Sequence, residues 1–93
     1  MSTQLLAAGT TEAFSDWFPL DDGESATVLL KPAAGRTTTP LVAVINVQSQ
    51  NAAGQPVQCT QLVGVNGSVV LTGKGTFRLH RPVQKFAVGA DRG

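Results

Sequence analysis

The chain has few of the residues on which catalytic and metal-binding sites are usually built. It contains one cysteine, Cys59, and one histidine, His80, among its 93 residues. An intrachain disulfide is therefore excluded, and a zinc site of the common Cys/His type lacks ligands. No cofactor is expected. Because small domains without such cross-links are often marginal as monomers, we expect additional stability to come from oligomerisation.

Charged and aromatic residues are also scarce. Charged residues make up 14% of the chain, against about a quarter in an average soluble domain. Such a composition suits a protein embedded among other proteins, although a neutral surface rich in Thr, Gln and Asn is the alternative. The net charge of +1 argues against nucleic acid as a partner.

The few charges are unevenly distributed along the chain. Five of the six acidic residues lie in the first 24 positions, whereas every Lys and Arg lies from Lys31 onward. The two ends can pair within one fold, or the acidic edge of one subunit can meet the basic edge of the next. The sequence leaves both arrangements open.

Long apolar segments are missing as well. The longest apolar stretch, residues 41–47, falls far short of the roughly 20 residues of a membrane-spanning helix. The N-terminus lacks the basic and apolar pattern of a secretory signal. We therefore expect a protein made in a cytoplasm, with no membrane partner.

Turn signals and β-forming residues are what the chain does contain. Gly, Pro, Asn and Asp recur at short intervals, at 21–23, 32–35, 40, 51–54, 66–67, 73–75 and 82. Short strands at such spacing predict an all-β antiparallel sandwich or barrel, with jelly-roll and immunoglobulin-like connectivity both open.

The pattern predicts seven core strands in a single domain at residues 10–93. An extended arm or edge strand is predicted at residues 1–9. The core strands are predicted at 13–20, 25–31, 41–48, 57–63, 68–72, 76–81 and 85–90. Alternation places Ala26, Val28 and Leu30 on one face of the second strand with Leu29 opposite, and Phe77 and Leu79 of the sixth opposite Arg78 and His80. Pro19 marks the first of them as an edge strand. The most apolar, 41–48, should be central and buried on both faces, and Asn66-Gly67 predicts a hairpin.

No candidate for catalysis survives inspection of the polar residues. His80 stands between Arg78 and Arg81 without an obvious orienting carboxylate, so a solvated surface side chain is expected. Residues 21–24 form a charged turn, because the ligands of a calcium loop do not follow. Cys59 is expected to be a small buried apolar residue, and residues 73–75 a hairpin turn. The protein is therefore expected not to be an enzyme.

Candidate interface residues lie at both ends of the chain: Leu5, Leu6, Trp17, Arg78 and Arg81. The arm could add a strand to the exposed sheet edge of a neighbour. Trp17 and Phe18 are adjacent in a predicted strand and must point to opposite faces. If Phe18 is inward, Trp17 is either an exposed interface anchor or covered by the arm.

Two segments resemble small virion proteins of tailed bacteriophages. The first joins Leu5-Leu6-Ala7-Ala8-Gly9-Thr10-Thr11 to Asp22-Gly23-Glu24-Ser25-Ala26-Thr27-Val28-Leu29-Leu30. The second joins Leu71-Thr72-Gly73-Lys74-Gly75-Thr76-Phe77-Arg78-Leu79-His80-Arg81-Pro82 to Ala87-Val88-Gly89-Ala90-Asp91. The resemblance covers roughly half the chain and carries over no set of functional residues.

This resemblance implies a non-enzymatic β-sandwich subunit that decorates or stabilises the assembled capsid of the virion. Its partners would be the major capsid protein and copies of itself, with a trimer favoured over a dimer. The main alternative is a tail- or fibre-associated module that recognises carbohydrate or a receptor. A regulatory or nucleic-acid-binding β domain is a third reading, and it requires the basic residues to form one patch.

Overall fold

The computed structural model of the chain describes residues 3–33, 35–37, 41–64 and 67–93. These residues form β-strands joined by turns and loops, and none of them is helical. The strands are β1 (Thr3–Gly9), β2 (Ala13–Phe14), β3 (Phe18–Leu20), β4 (Ser25–Pro32), β5 (Val44–Gln50), β6 (Pro56–Val63), β7 (Ser68–Thr72), β8 (Gly75–Arg81) and β9 (Val88–Arg92). The prediction of an all-β chain is confirmed.

The strands form two antiparallel sheets. One has the order β1-β9-β4-β7, and the other has the order β2-β8-β5-β6, with β3 also paired to β8. The sheets share one apolar core, in the manner of a β-sandwich. Fully buried side chains come from both sheets: Leu20, Val28, Ile45, Val47, Leu62, Leu79 and Val88.

The strand pairing follows a simple rule along the chain. The first strand pairs with the last (β1 with β9), and β2 and β3 pair with β8. Moving from the two ends of the chain towards its middle, β4 then pairs with β7, and β5 pairs with β6. The first half of the chain therefore pairs with the second half in reverse order. Among the described residues, β5–β6 is the one pair formed by consecutive strands.

Alternation along β4 and β8 matches the sequence prediction. In β4, Ala26 and Val28 are buried and Leu29 is exposed. In β8, Leu79 is fully buried and Phe77 packs on the core, whereas Arg78 lies on the opposite face. A strand with one face on the core and one outside produces this period of two.

The predicted strand at 13–20 is interrupted. It forms β2 and β3, which are separated by residues 15–17. Ser15 is buried there; its hydroxyl accepts a bond from the Leu79 amide at 2.8 Å, and its own amide donates to the Leu79 carbonyl at 2.9 Å. The Ser15 hydroxyl thus accepts a hydrogen bond that a main-chain carbonyl would accept between two regular strands. The edge position suggested by Pro19 is observed, since β3 pairs only with β8.

The predicted central strand is central but not buried on both faces. β5 lies between β8 and β6, with Ile45 and Val47 fully buried. The strand begins at Val44, whereas Leu41 and Val42 before it are 72% and 67% exposed. Val44 itself is half-buried, on the face of β5 opposite to Ile45 and Val47 of the core, as the alternation along the strand requires.

Two predicted hairpins connect different sheets instead. β6 and β7 flank the Asn-Gly signal, yet β6 pairs with β5 and β7 pairs with β4. The turn residues Val65 and Asn66 lie outside the described residues. Gly73, at φ +90°, likewise leads from one sheet to the other. Turn chemistry shows where the chain reverses, but long-range pairing decides which strands become neighbours.

The two ends of the chain also differ in part from prediction. The last strand begins at Val88, so Phe86 lies before it and is 41% exposed. Residues 3–9 form the edge strand β1, paired to β9, with Leu6 buried in the core. Of the two predicted forms, arm or edge strand, the described residues adopt the edge strand; an extended arm is not confirmed.

Candidate functional site

The outer face of the five-stranded sheet carries a cluster of polar and aromatic side chains. Arg78 and His80 of β8 lie directly opposite Gln48 and Asn46 of β5. They point outward because Leu79, between them, is buried in the core. We call this group, with its neighbours on adjoining strands, the outer-face cluster. Its members are Glu12, Phe14, Trp17, Asn46, Gln48, Gln61, Arg78 and His80.

His80 is held at both ring nitrogens. Its Nε2 lies 3.0 Å from Glu12 Oε2, and its Nδ1 lies 3.2 Å from Asn46 Nδ2. Because an amide NH2 group can only donate, this arrangement makes Nδ1 the acceptor and places the ring proton on Nε2. Asn46 Oδ1 in turn accepts a bond from Gln61 Nε2 at 2.9 Å. The network fixes the orientation of the ring.

The prediction of a solvated His80 without a carboxylate partner is therefore wrong. Its side chain is only 17% exposed, and Glu12 supplies the carboxylate. Glu12 is far away in sequence but lies beside His80 because β2 pairs with β8. With both nitrogens engaged, neither is free to take a proton from a substrate unless a bond is broken.

Arg78 stands at the centre of an aromatic stack. Its guanidinium carbon lies 4.4 Å from the ring centre of Phe14 and 4.5 Å from that of Trp17. Phe14 also stacks on the His80 ring at 4.6 Å. Arg78 Nε donates to Gln48 Oε1 at 2.8 Å. The stack is a row of flat groups on the sheet surface, and Phe14 remains 48% exposed.

Two of the predicted interface residues, Trp17 and Arg78, meet in this cluster. Trp17 is half-buried, and the Arg78 guanidinium lies over its ring. The N-terminal strand β1 does not cover Trp17, because β1 belongs to the other sheet. The adjacent Phe18 is buried in the core, as one of the two predicted arrangements requires.

The other three candidate interface residues, Leu5, Leu6 and Arg81, lie outside this cluster. Leu6 is 6% exposed and belongs to the core, and Leu5 is half-buried against it. Arg81 is 5% exposed. Its parity along β8 places it inward with Leu79, on the side away from Arg78. These residues stabilise the fold.

Arg81 fastens β1 to the rest of the domain. Its Nη1 donates to the carbonyls of Ala7 at 2.6 Å and Val88 at 2.9 Å, and its Nε donates to the Thr11 carbonyl at 2.8 Å. A Cβ on Gly9 would come within 2.9 Å of the guanidinium, so the chain passes close over it. Three carbonyl acceptors make the burial of this cation tolerable.

The β5–β6 hairpin is the least covered part of the described chain. Every residue from Gln50 to Cys59 is exposed, on both faces of the ribbon. The same region lies within residues 37–73, which contain no Asp, Glu, Lys, Arg or His. This long uncharged segment is readable in the sequence, but it also contains the buried Ile45 and Val47, so the absence of charge alone does not show which part is exposed.

The tip of this hairpin is tightly organised by Asn51. Its Oδ1 accepts bonds from the amides of Ala53 at 3.0 Å and Gln55 at 2.9 Å. The Asn51 amide donates to the Gln55 carbonyl at 2.9 Å, and Gly54 adopts φ +79°. Asn favours such side-chain-to-backbone turns, and Gly tolerates the positive φ. The exposed tip therefore has a defined shape.

Cys59 lies on this hairpin and is exposed, which contradicts the predicted buried position. It occupies an irregularity in the β5–β6 ladder, where Val47 opposes Thr60 and Gln48 opposes Gln58. Its Sγ donates to the Val47 carbonyl at 3.4 Å. Partial burial of the sulfur raises the pKa of the Cys59 thiol above its ordinary value. The thiol is not activated as a nucleophile.

The other candidate motifs have structural roles. Residues 21–24 are a charged turn, as predicted: the Glu24 amide donates to the Asp21 carbonyl at 3.0 Å, and Glu24 Oε1 accepts from the Asp21 amide at 2.7 Å. Two of the basic residues of the second half lie on opposite faces of β8: Arg81 is buried, and Arg78 is stacked on aromatic rings. Arg36 and Lys85 line a separate surface pocket of about 250 Å³ beside Phe86.

Within residues 3–33, 35–37, 41–64 and 67–93, no three His, Cys, Asp or Glu side chains are grouped to hold a metal ion. The same residues include no helix long and apolar enough to cross a membrane. In comparisons with protein-family models, curated proteins and solved structures, nothing matches this chain. Functional inference therefore depends on the geometry of the chain itself.

Proposed function

We propose that the two sheets have jelly-roll connectivity. The support is the nested pairing of β1 with β9, β2 and β3 with β8, β4 with β7, and β5 with β6. Counting β2 and β3 as one interrupted strand gives eight strands, four in each sheet, which is the jelly-roll number. A chain folded as one long hairpin and rolled into two sheets produces this order.

On this fold, the chain acts as a non-enzymatic structural subunit of a tailed-phage particle. Its role is to decorate and stabilise the assembled capsid as an oligomer, with the major capsid protein as partner. The nested strand order is the observation that carries the proposal, because jelly-rolls are characteristic of viral capsid domains. The resemblance of both chain ends to phage virion proteins points in the same direction. The subunit would be made in the host cytoplasm and reside in the virion.

The surface chemistry supports assembly with other proteins. The exposed hairpin carries no charge and presents the exposed apolar side chain of Val57; Leu41 and Val42, also exposed, precede β5 at the opposite end of the ribbon. Charged residues are depleted at the centres of protein interfaces. A subunit that covers a shell in many copies benefits from such a neutral contact surface.

The test is co-sedimentation of the purified protein with phage capsids that lack their decoration protein, together with light scattering of the free protein. We expect a discrete oligomer that pellets with capsids and saturates at a fixed ratio to the major capsid protein. The control is the same protein spun without capsids. Absence of the protein from the pellet at every concentration would overturn the decoration role.

A second function, carbohydrate recognition by a tail- or fibre-associated module, is favoured by the outer-face cluster. Aromatic rings beside amides and a carboxylate are the groups that stack on and hydrogen-bond to sugars. This face has the exposed Phe14 and the half-buried Trp17 beside Gln48 and Glu12. Jelly-rolls also serve as lectin domains. The structure places these residues together although they are distant in sequence.

Trp17 is the sole tryptophan, so its fluorescence reports directly on this surface. Titration with host-surface polysaccharide should change Trp17 emission if the face binds sugar. The matched variant is Gln48→Ala, which removes an amide from the face and keeps the fluorophore; it should weaken a genuine response. Unchanged emission at saturating polysaccharide would argue against this second function.

A further inference from the structure

We propose that β6 is the oligomerisation strand of this protein, and that it pairs antiparallel with β6 of a second copy about a twofold axis. This inference rests on the proposed function, because it names the contact by which the subunit assembles. It changes the expected stoichiometry, since a twofold contact between identical strands gives a dimer and not the trimer that sequence analysis favoured.

β6 is the most available edge in the described part of the chain. It has eight residues and pairs on one side only, with β5. The other edges are less suited to receive a strand. β7 has five residues, β1 has two register irregularities against one in β6, and β2 and β3 are short and interrupted. An edge strand with free main-chain groups is a template for another strand.

Exposure along β6 points the same way. Residues Pro56, Val57, Gln58 and Cys59 are exposed in succession, whereas the other long strands have a covered face. Two-stranded ribbons gain stability when a third strand joins them. The half of β6 that projects from the core therefore has the most to gain from a partner strand.

The absence of charge favours a second copy of this chain as the partner of β6. Natural edge strands are commonly protected by charged side chains, by Pro or by β-bulges. β6 carries no charge; its Pro56 lies at the end of the strand, and its one irregularity lies beside Cys59. Pairing with itself brings no like charges together. A charged partner strand would find no opposite charge to meet, because residues 37–73 carry none. A neutral strand is complementary to its own copy.

The tip of the hairpin is ordered before any partner binds. Asn51 Oδ1 holds two backbone amides, and Gln50 Nε2 donates to the Gly54 carbonyl at 3.3 Å. Association would therefore lose less conformational entropy than it would with a disordered loop.

Symmetry fixes the centre of the pair. Opposed residues in antiparallel strands point to the same face, so a twofold axis through the sheet must pass where one residue opposes its own copy. Overlap is greatest when that residue is Cys59 or Thr60, the two middle positions of the strand. In either register the two Cys59 residues lie close together across the interface.

The test compares two valines that are exposed on uncharged edge strands. Val57 lies on β6 and is 47% exposed; Val70 lies on β7 and is 57% exposed. By light scattering, we expect the parent protein and Val70→Lys to be dimers and Val57→Lys to be a monomer. Circular dichroism checks that both variants keep the β fold. A dimer that survives Val57→Lys or dissociates with Val70→Lys overturns the inference.

The native cysteine supplies an independent measurement. A short bismaleimide should cross-link the parent protein into a covalent dimer, since the two Cys59 Cα atoms would be about 4.5–5.5 Å apart if directly opposed and about 7–8 Å apart if diagonal. Cys59→Ser should give none, and Val57→Lys should give at least tenfold less. Cross-linking that is equal in Val57→Lys and in the parent would contradict the proposed pairing.

The outcomes separate this inference from the proposed function. A trimer, or a dimer insensitive to Val57→Lys, that still pellets with capsids would overturn the β6 contact and leave the decoration role standing. A Val57-dependent dimer that ignores capsids would support the β6 contact and count against the decoration role. A monomer at all concentrations would overturn the β6 contact.

Discussion

β1 and the β5–β6 hairpin are held in the domain in different ways. β1, predicted as an arm or an edge strand, is paired on one side with β9 and fastened by Arg81. The hairpin includes the strand that was predicted to be central and buried, yet its outer half is exposed on both faces. Both segments lack charge.

The difference teaches what fixes a strand to its domain. β1 owes its place to contacts that come from distant residues: the Arg81 guanidinium, and Gly89, where an added Cβ would overlap the Leu6 carbonyl. The hairpin is organised by its own turn residues, Asn51 and Gly54. Distant contacts anchor a strand, whereas local ones give it shape and leave it free to meet a partner.

Among the changes that test this comparison, shortening Arg81 should have the largest effect on the free energy of unfolding. We expect Arg81→Ala to lower the free energy of unfolding by about 4 kcal/mol, because three carbonyls lose a charged donor and a buried space opens. Urea denaturation followed by circular dichroism measures this. The control, exposed Arg36→Ala, should change it by less than about 0.5 kcal/mol. Equal effects would show that Arg81 does not hold β1.

Shortening one side chain in each region gives the next largest contrast. Leu6→Ala should cost about 3 kcal/mol, as expected when a buried leucine leaves a cavity. Val57→Ala on the exposed hairpin should cost less than about 0.5 kcal/mol in the dissociated protein. The same denaturation experiment, run at low protein concentration, compares them. Similar losses would contradict the assignment of β1 to the core and of the hairpin to the surface.

A smaller effect is expected at the outer-face cluster. Arg78→Ala should lower the free energy of unfolding by about 1 kcal/mol, since it removes contacts with two aromatic rings and one amide. Trp17 fluorescence should shift to longer wavelength as the ring becomes more exposed. Arg78→Lys keeps the charge and should recover only part of both signals, because the planar stack is lost. An unchanged Trp17 spectrum in Arg78→Ala would argue against the stack.

The mildest expected effect concerns the thiol on the hairpin. Because partial burial raises the pKa of Cys59, the thiol holds its proton to higher pH than an ordinary cysteine. Below that raised pKa the reactive thiolate is depleted, so alkylation by iodoacetamide should be slower than that of a free cysteine peptide at the same mildly alkaline pH. The difference should disappear in urea. Faster alkylation of the folded protein would contradict the assigned burial of the sulfur.

The sequence predicted the parts of the fold that depend on local pattern. Strand alternation placed Ala26, Val28 and Leu79 inward, and turn residues marked most strand ends. The sequence did not predict which strands pair with each other. Asn-Gly favours a tight turn but does not require its flanking strands to be neighbours, so two predicted hairpins are crossings between sheets.

Individual residues of the candidate site could be predicted from the sequence, but their arrangement could not. Trp17 and Arg78 were named from composition and position, but Glu12 and His80 meet only because β2 pairs with β8. Arg81 looks like an exposed cation in the sequence, since nothing local shows that three distant carbonyls receive it. The uncharged segment 37–73 is readable in the sequence, but it contains both the buried Ile45 and Val47 and the exposed residues 50–59, so the absence of charge did not show which part is exposed.

Hydrogen–deuterium exchange at low and high protein concentration tests the central claim, that the subunit assembles through its neutral hairpin while β1 stays inside the fold. Amides of β6 should exchange at least tenfold more slowly at the higher concentration, and amides of β1 should exchange at the same rate in both samples. Protection that increases in β1 and not in β6 would contradict the account, because assembly would then use the strand that the structure shows anchored to β9.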